Sequence, residues 1–204
     1  MRDNAVVLDV GCGNNSPAYT KSLKPNCYYI GLDVGDYNQS SKSAADKYII
    51  TSPDLFSNEI EKLSGEIDYI ISSHNLEHCI NRHAVLKAMA SALKPKGSIY
   101  LSFPCAESVN FPGPRSGCLN YFDDSSHLYS PPNFSEIISA LYSSGVYVTY
   151  ATTRYQPPLA WIEGLYNENE SRLEKCTKPG TWELYGFETI IWGTKLVDAD
   201  VCGG

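Results

Sequence analysis

Apolar residues fall in short runs separated by polar and glycine-containing breaks, and the order of those runs predicts alternating strands and helices. Val6, Val7, Leu8 and Val10 read as a buried parallel strand that breaks into Gly11-Cys12-Gly13. The run CYYIGLDV, residues 27–34, predicts a second strand ending at Asp33, and KYII, residues 47–50, a third. Ile67, Tyr69, Ile70 and Ile71 predict a fourth strand, whose end is marked by the polar run Ser72-Ser73-His74-Asn75. Val85, Leu86, Met89 and Leu93 recur at helical spacing over residues 82–93, and Lys94-Pro95-Lys96-Gly97 stops that helix with a turn. SIYLSF, residues 98–103, reads as a fifth strand.

Beyond Pro104 the pattern becomes less regular. Residues 104–132 form a long loop rich in Gly, Pro, Ser and aromatics, lying between core elements. Phe134, Ile137, Ile138 and Leu141 share one face of a helix over residues 133–143, followed by a sixth strand at 145–151. A second excursion, 154–184, carries Trp161, Tyr166 and Trp182 around a short helix. A seventh strand lies within 186–197, and the tail DADVCGG is expected to fray. The 204 residues fit one domain, 1–204, with a sheet covered by helices.

Charge and composition narrow the partners. A net charge of −7 without any Lys/Arg run gives a nucleic acid or an anionic membrane no electrostatic foothold, so neither is expected as a partner. No apolar run approaches membrane-spanning length, and the chain enters its first strand almost at once, leaving no room for a signal peptide. Seven scattered cysteines without a Cys-x-x-Cys pair fit reduced thiols in a cytoplasmic protein.

The glycine turn after the first strand is a ligand-binding device, because glycine lets the backbone bend tightly and approach a ligand closely. A dinucleotide fingerprint wants a third glycine where Ser16 stands. Asp9 would also repel a pyrophosphate, whereas it suits a cationic amino-acid group. Asp33, 24 positions after Asp9, lies where a carboxylate holds ribose hydroxyls, the reading favoured at this spacing over a plain turn residue before Gly35.

Asp9, Gly11 and Gly13 resemble the Asp/Glu-x-Gly-x-Gly motif of class I S-adenosylmethionine-dependent methyltransferases. The segment SSHNLEH, residues 72–78, and the Leu93-Lys94-Pro95-Lys96-Gly97 turn resemble later motifs of small-molecule members of that family. The resemblance covers about residues 5–152 and the last strand. It implies an α/β, doubly wound, mostly parallel seven-stranded sheet with an antiparallel last strand and helices on both faces. It also implies S-adenosylmethionine as cofactor, held by Asp9, Gly11, Cys12, Gly13, Asp33, Asp54, Leu55, Ser73 and His74. Within this set Asp33 would bind ribose, and Asp54 would meet the adenine with Leu55 flanking it; Ser52-Pro53 also makes a plain helix start.

His74 and His127 are the candidate catalytic residues, since an oxygen acceptor needs its proton removed and imidazole suits that task. His78 either fixes its loop or touches ligand, and His83 belongs to the surface. The run Asp123-Asp124-Ser125-Ser126-His127 could be read as a metal site, but no metal is expected there. Residues 73–76 lack the Asn/Asp-Pro-Pro-aromatic clamp of base methyltransferases, so a small-molecule or saccharide acceptor is expected, with 104–132 and 154–184 covering it. A nicotinamide-dependent oxidoreductase and a non-catalytic cofactor-binding scaffold are the alternatives.

Overall fold

The computed structural model describes residues 1–36, 44–127 and 129–197. The tail expected to fray lies outside the described residues. Seven strands form one sheet: β1 (Val6–Val10), β2 (Tyr28–Asp33), β3 (Lys47–Ile50), β4 (Ile67–Ser73), β5 (Leu93–Pro104), β6 (Val146–Thr152) and β7 (Glu188–Lys195). Their order is β3-β2-β1-β4-β5-β7-β6, with β7 antiparallel to both neighbours and the other pairs parallel. The expected sheet, including its antiparallel last strand, is the observed one.

Strand alternation decides the layering, because successive side chains point to opposite faces. Leu8 and Val10, Ile30 and Leu32, Ile70, and Ile99, Leu101 and Phe103 share the large core. That face is covered by α2 (Phe56–Glu61), α3 (Arg82–Ala92) and α4 (Phe134–Ser143). Both longer helices start at an asparagine whose side chain accepts a backbone N–H three residues on, Asn81 from Ala84 and Asn133 from Glu136. The opposite face carries Val7, Tyr29, Tyr69 and Ile71 in a smaller cluster, and α1 (Ser16–Leu23) covers only part of it. Met1, Tyr19, Leu23, Tyr69, Tyr100 and Trp192 line the open groove that remains.

Two boundaries differ from the sequence pattern. Helix α3 ends at Ala92, and Leu93 already pairs with Ile67, so β5 begins five residues before the predicted 98 and absorbs the Lys-Pro-Lys-Gly turn across a register shift. The short helix expected in 154–184 is instead the 17-residue α5 (Pro158–Glu174) with the one-turn α6 (Thr181–Tyr185). Its apolar residues Leu159, Leu165, Tyr166 and Leu173 are all exposed, so they mark no core-facing stripe from which its length could be read.

Candidate active site at the carboxyl edge of the sheet

Strands β1, β2, β4 and β5 all end on one edge, where open parallel sheets bind their ligands. Leaving β1, the chain turns through Gly11 (φ +79°) and Gly13 (φ +56°), both in the left-handed region that favours glycine. The Gly11 N–H donates to the Leu32 carbonyl at 2.8 Å, stitching the turn to the end of β2. A Cβ on Gly11 would lie 2.6 Å from the Asn75 side chain, whereas one on Gly13 would meet none of the described residues within 4 Å. Gly11 is therefore required by packing, whereas no described side chain crowds the Cβ position of Gly13. Cys12 is buried between them, its thiol pushed up to about 12 by that burial and so not a nucleophile.

Two acids flank the turn in different states. Asp9 is only 2% exposed and accepts from the Ser16 hydroxyl at the start of α1 and from the Tyr29 hydroxyl at 2.6 Å. Burial pushes its carboxyl up to about 6, although both hydrogen bonds favour the charged form. Asp33 accepts the Gly13 N–H at 2.8 Å on one oxygen and the Val34 N–H at 2.7 Å on the other. Each carboxylate oxygen has two acceptor positions, so one per oxygen remains for ligand hydroxyls. An open glycine turn beside a carboxylate with spare acceptor capacity fits a nucleoside cofactor. Asp54 and Leu55 are exposed in a 3₁₀ turn just past β3, on the same edge. The side chain of Ser52 makes no cap hydrogen bond there.

At the end of β4, Ser73 Oγ lies 2.8 Å from Ser102 Oγ of β5. His74 follows with φ +50°, and both its ring nitrogens are engaged: Nδ1 with Glu77 Oε1 at 3.2 Å and Nε2 with Glu188 Oε1 at 2.8 Å. Burial works against the charged ring, but the hydrogen bonds to Glu188 and Glu77 outweigh it and push its pKa up to about 9. The ring packs against Trp182, centroids 5.0 Å apart, and stacks on Phe187 at 6.1 Å. His127 is buried elsewhere in the site, its Nδ1 donating to the Tyr121 carbonyl at 2.6 Å and its ring stacked on Tyr121.

The acidic run before His127 is occupied with its own loop. Asp123 Oδ2 accepts the backbone N–H groups of Arg115, Leu119 and Asn120, and Asp124 Oδ1 accepts those of the Ser126 amide and hydroxyl. The same loop is braced against the second excursion. Arg115, 5% exposed, makes two bonds to the Glu168 carboxylate at 2.8 and 2.9 Å and one to Ser171 Oγ at 2.8 Å. Trp182 Nε1 donates to the carbonyls of Gly117 and Cys118, and Ser116 and Cys176 form a parallel bridge. Both excursions leave from the carboxyl edge, after β5 and after β6, and are joined there. Tyr29 and Glu188 have no role legible in the sequence, because each acquires it from a partner distant along the chain, Asp9 and His74. Asn75, Glu77 and Trp182 fall within segments that the sequence marks, without a role of their own.

Among the described residues no helix is long and apolar enough to cross a membrane. A methyltransferase-domain family model matches residues 2–154. An uncharacterized protein of Methanocaldococcus jannaschii is 29% identical over 100 residues, 47% of this chain, and the chain spans only 27% of that relative's length. Among solved structures, a methyltransferase in complex with the Haloferax volcanii Trm112 methyltransferase activator superposes with a TM-score of 0.65 at 14% identity, covering 97% of this chain and 85% of that one. An S-adenosylmethionine-dependent methyltransferase from Mesorhizobium loti gives a TM-score of 0.64 at 14% identity, covering 95% and 92%. Haemonchus contortus phosphoethanolamine N-methyltransferase 2, bound to S-adenosyl-L-methionine, gives 0.61 at 14%, covering 97% and 50%. With the family model matched across β1 to β6 and the sheet order 3-2-1-4-5-7-6 beneath it, the chain belongs to the class I S-adenosylmethionine-dependent methyltransferases.

Proposed function

We propose that the chain methylates an oxygen or nitrogen of a small molecule or saccharide, and that the joined excursions 104–132 and 154–184 wall the acceptor. The observation that carries this reading is the junction at the end of β4. There the His74 ring meets Trp182 and Phe187 where both excursions leave the sheet, an aromatic enclosure suited to a compact organic acceptor. A net charge of −7 supports such an acceptor over a polyanion. The six described cysteines are free thiols, which supports a cytoplasmic setting.

Bound S-adenosylmethionine supplies an electrophilic methyl group on a positively charged sulfur. Everything else falls to the chain. Asp33 takes the ribose hydroxyls on its spare acceptor positions, and Gly13 leaves the space for close approach. Asp9 keeps a negative charge behind the turn, facing the cationic amino-acid group. Asp54 meets the adenine amino group with Leu55 beside the ring, and Cys12 and Ser73 line the turn and the strand end. His74, with both nitrogens committed to carboxylates, is a positioning residue that fixes the Trp182 wall rather than a proton acceptor. His127, with Nδ1 spent on the Tyr121 carbonyl and its ring stacked on Tyr121, positions the first excursion beside the acceptor. Alignment and water exclusion are then the main sources of rate.

Titration with S-adenosylhomocysteine and with NAD(H) tests the cofactor assignment, and binding of NAD(H) alone would overturn it. Release of S-adenosylhomocysteine is then followed over a panel of hydroxyl, amine, carboxylate, nucleic-acid and protein acceptors. Turnover on a small hydroxyl or amine compound is expected, lowered by His74→Ala through a raised KM. Turnover confined to nucleic acid or protein would sink the acceptor reading.

A further inference from the structure

Glu77, His78 and His127 come together although His127 is 49 positions from His78. One potential ligand atom from each lies within 4.8 Å of the others. Glu77 is fully buried (0% exposed), and its Oε2 has no hydrogen-bond partner among the described residues. Leaving a buried carboxylate oxygen unsatisfied costs more than most single contacts return, so such an atom asks for a cation or a proton. The nearest guanidinium does not answer it. Arg82 directs its donors to the backbone carbonyls of Leu76, Glu77 and Ser130, at 2.9, 3.4 and 2.7 Å. The other Glu77 oxygen holds His74.

The histidines are prepared in the way metal-ligating imidazoles are, with one ring nitrogen donating to an oxygen of the protein. His127 Nδ1 donates to the Tyr121 carbonyl at 2.6 Å, which leaves a lone pair on Nε2. The Ser126 hydroxyl gives its hydrogen to Asp124 Oδ1 at 2.5 Å, so it accepts from His78 Nδ1 at 3.3 Å and leaves the Nε2 lone pair of His78 free as well. The rings lie 4.8 Å apart, centre to centre. Tyr121 stacks on His127 and holds that ring in place, its own hydroxyl turned toward Arg82.

We propose that Glu77, His78 and His127 bind one divalent transition-metal ion of the zinc, cobalt, iron(II) or manganese class. Two imidazoles and one carboxylate match the ligand preference of those ions, and three protein ligands leave coordination positions open. The acidic run 123–127 is not this site. It contributes His127 alone, while Asp124 acts behind it by orienting Ser126 and, through Ser126, His78. This binding claim stands apart from the choice of acceptor, since it concerns only what these three side chains hold between them.

The test uses the full chain, stripped with chelator and titrated with Co²⁺ while visible absorption is recorded, then with Zn²⁺ in competition. Saturation at about one equivalent is expected, with d–d bands that Zn²⁺ abolishes. His78→Ala, a half-buried position that leaves the core intact, and Glu77→Gln should each weaken binding by at least about 100-fold, beyond the loss typical of a supporting residue. Far-UV circular dichroism checks that each variant is folded. If Glu77→Gln fails that check, His78→Ala alone decides. Absence of saturable binding, unchanged affinity in folded His78→Ala, or a sulfur-to-cobalt charge-transfer band placing the ion on a cysteine would each overturn the proposal.

Discussion

The Asp33 carboxylate accepts the Gly13 amide at 2.8 Å, so the two cofactor motifs are one hydrogen-bonded unit before any ligand arrives. Replacing Asp33 by Ala removes the strut that fixes the turn and, with it, the proposed ribose acceptor. Hydrogen bonds to a charged group are worth about 1.5–3 kcal/mol each, so S-adenosylhomocysteine affinity should fall by at least about tenfold. Calorimetric titration measures this, and an unchanged affinity would remove Asp33 from the site.

The two turn glycines should respond differently to the same substitution. Gly11→Ala places a Cβ 2.6 Å from Asn75 at φ +79° and should destabilise the fold by several kcal/mol, seen as a lowered denaturation midpoint. Gly13→Ala meets none of the described residues within 4 Å, so it should cost only about 1–2 kcal/mol for its left-handed backbone. Its larger effect should be on cofactor affinity. Equal stability losses in the two variants would contradict this division.

On the proposed role of Asp9, cofactor binding should depend on pH. It faces Ser16 of α1 and Tyr29 of β2, with Cys12 and Asp33 nearby, and no cation is among the groups that set its pKa. Because burial raises its carboxyl from 3.8 to about 6, the folded state binds the proton more tightly than the unfolded chain between those values. The stability this contributes is complete below about 4 and is lost as pH rises through 6, leaving a cost of about 3 kcal/mol at neutral pH. Asp9→Asn should therefore be at least as stable as the native chain at pH 7.5. Affinity for S-adenosylhomocysteine should fall in the native chain as pH drops from 7.5 to 5, and stay flat in Asp9→Asn. Parallel pH profiles for the two proteins would refute the electrostatic role.

The Arg115–Glu168 pair is a buried ion pair whose halves come from different excursions. Arg115→Met leaves Glu168 with the Tyr185 hydroxyl at 2.6 Å and Arg172 at 3.6 Å, so it should cost up to about 3 kcal/mol, and the double replacement with Glu168→Met should cost less than the two single losses together. Chemical denaturation of the four proteins measures the coupling. Strict additivity would mean that the pair does not bind the excursions together.

The sheet was legible because parallel strands buried on both faces write themselves as continuous apolar runs, and the Asp9–Gly13 and Asp33 motifs sit at strand ends that those runs locate. What escaped was long-range. His74 looks like a free base in SSHNLEH, since nothing near it in sequence announces Glu188 at the start of β7. His127 looks tied to Asp123 and Asp124, its neighbours in the chain, while the fold sets it beside His78. Helix α5 was underestimated because its exposed apolar residues give no amphipathic stripe. In each case the missing information is a contact made by folding, which local patterning does not encode.

The bracing of the two excursions also bears on engineering. Because Arg115, Ser116, Gly117 and Cys118 are anchored by Glu168, Ser171, Cys176 and Trp182, the segments form a cassette rather than two independent modules. Grafting one of them onto a related scaffold would strand a buried guanidinium or a buried carboxylate. Transplanted together, they would carry their own complementary half and could be exchanged as a unit over an unaltered sheet.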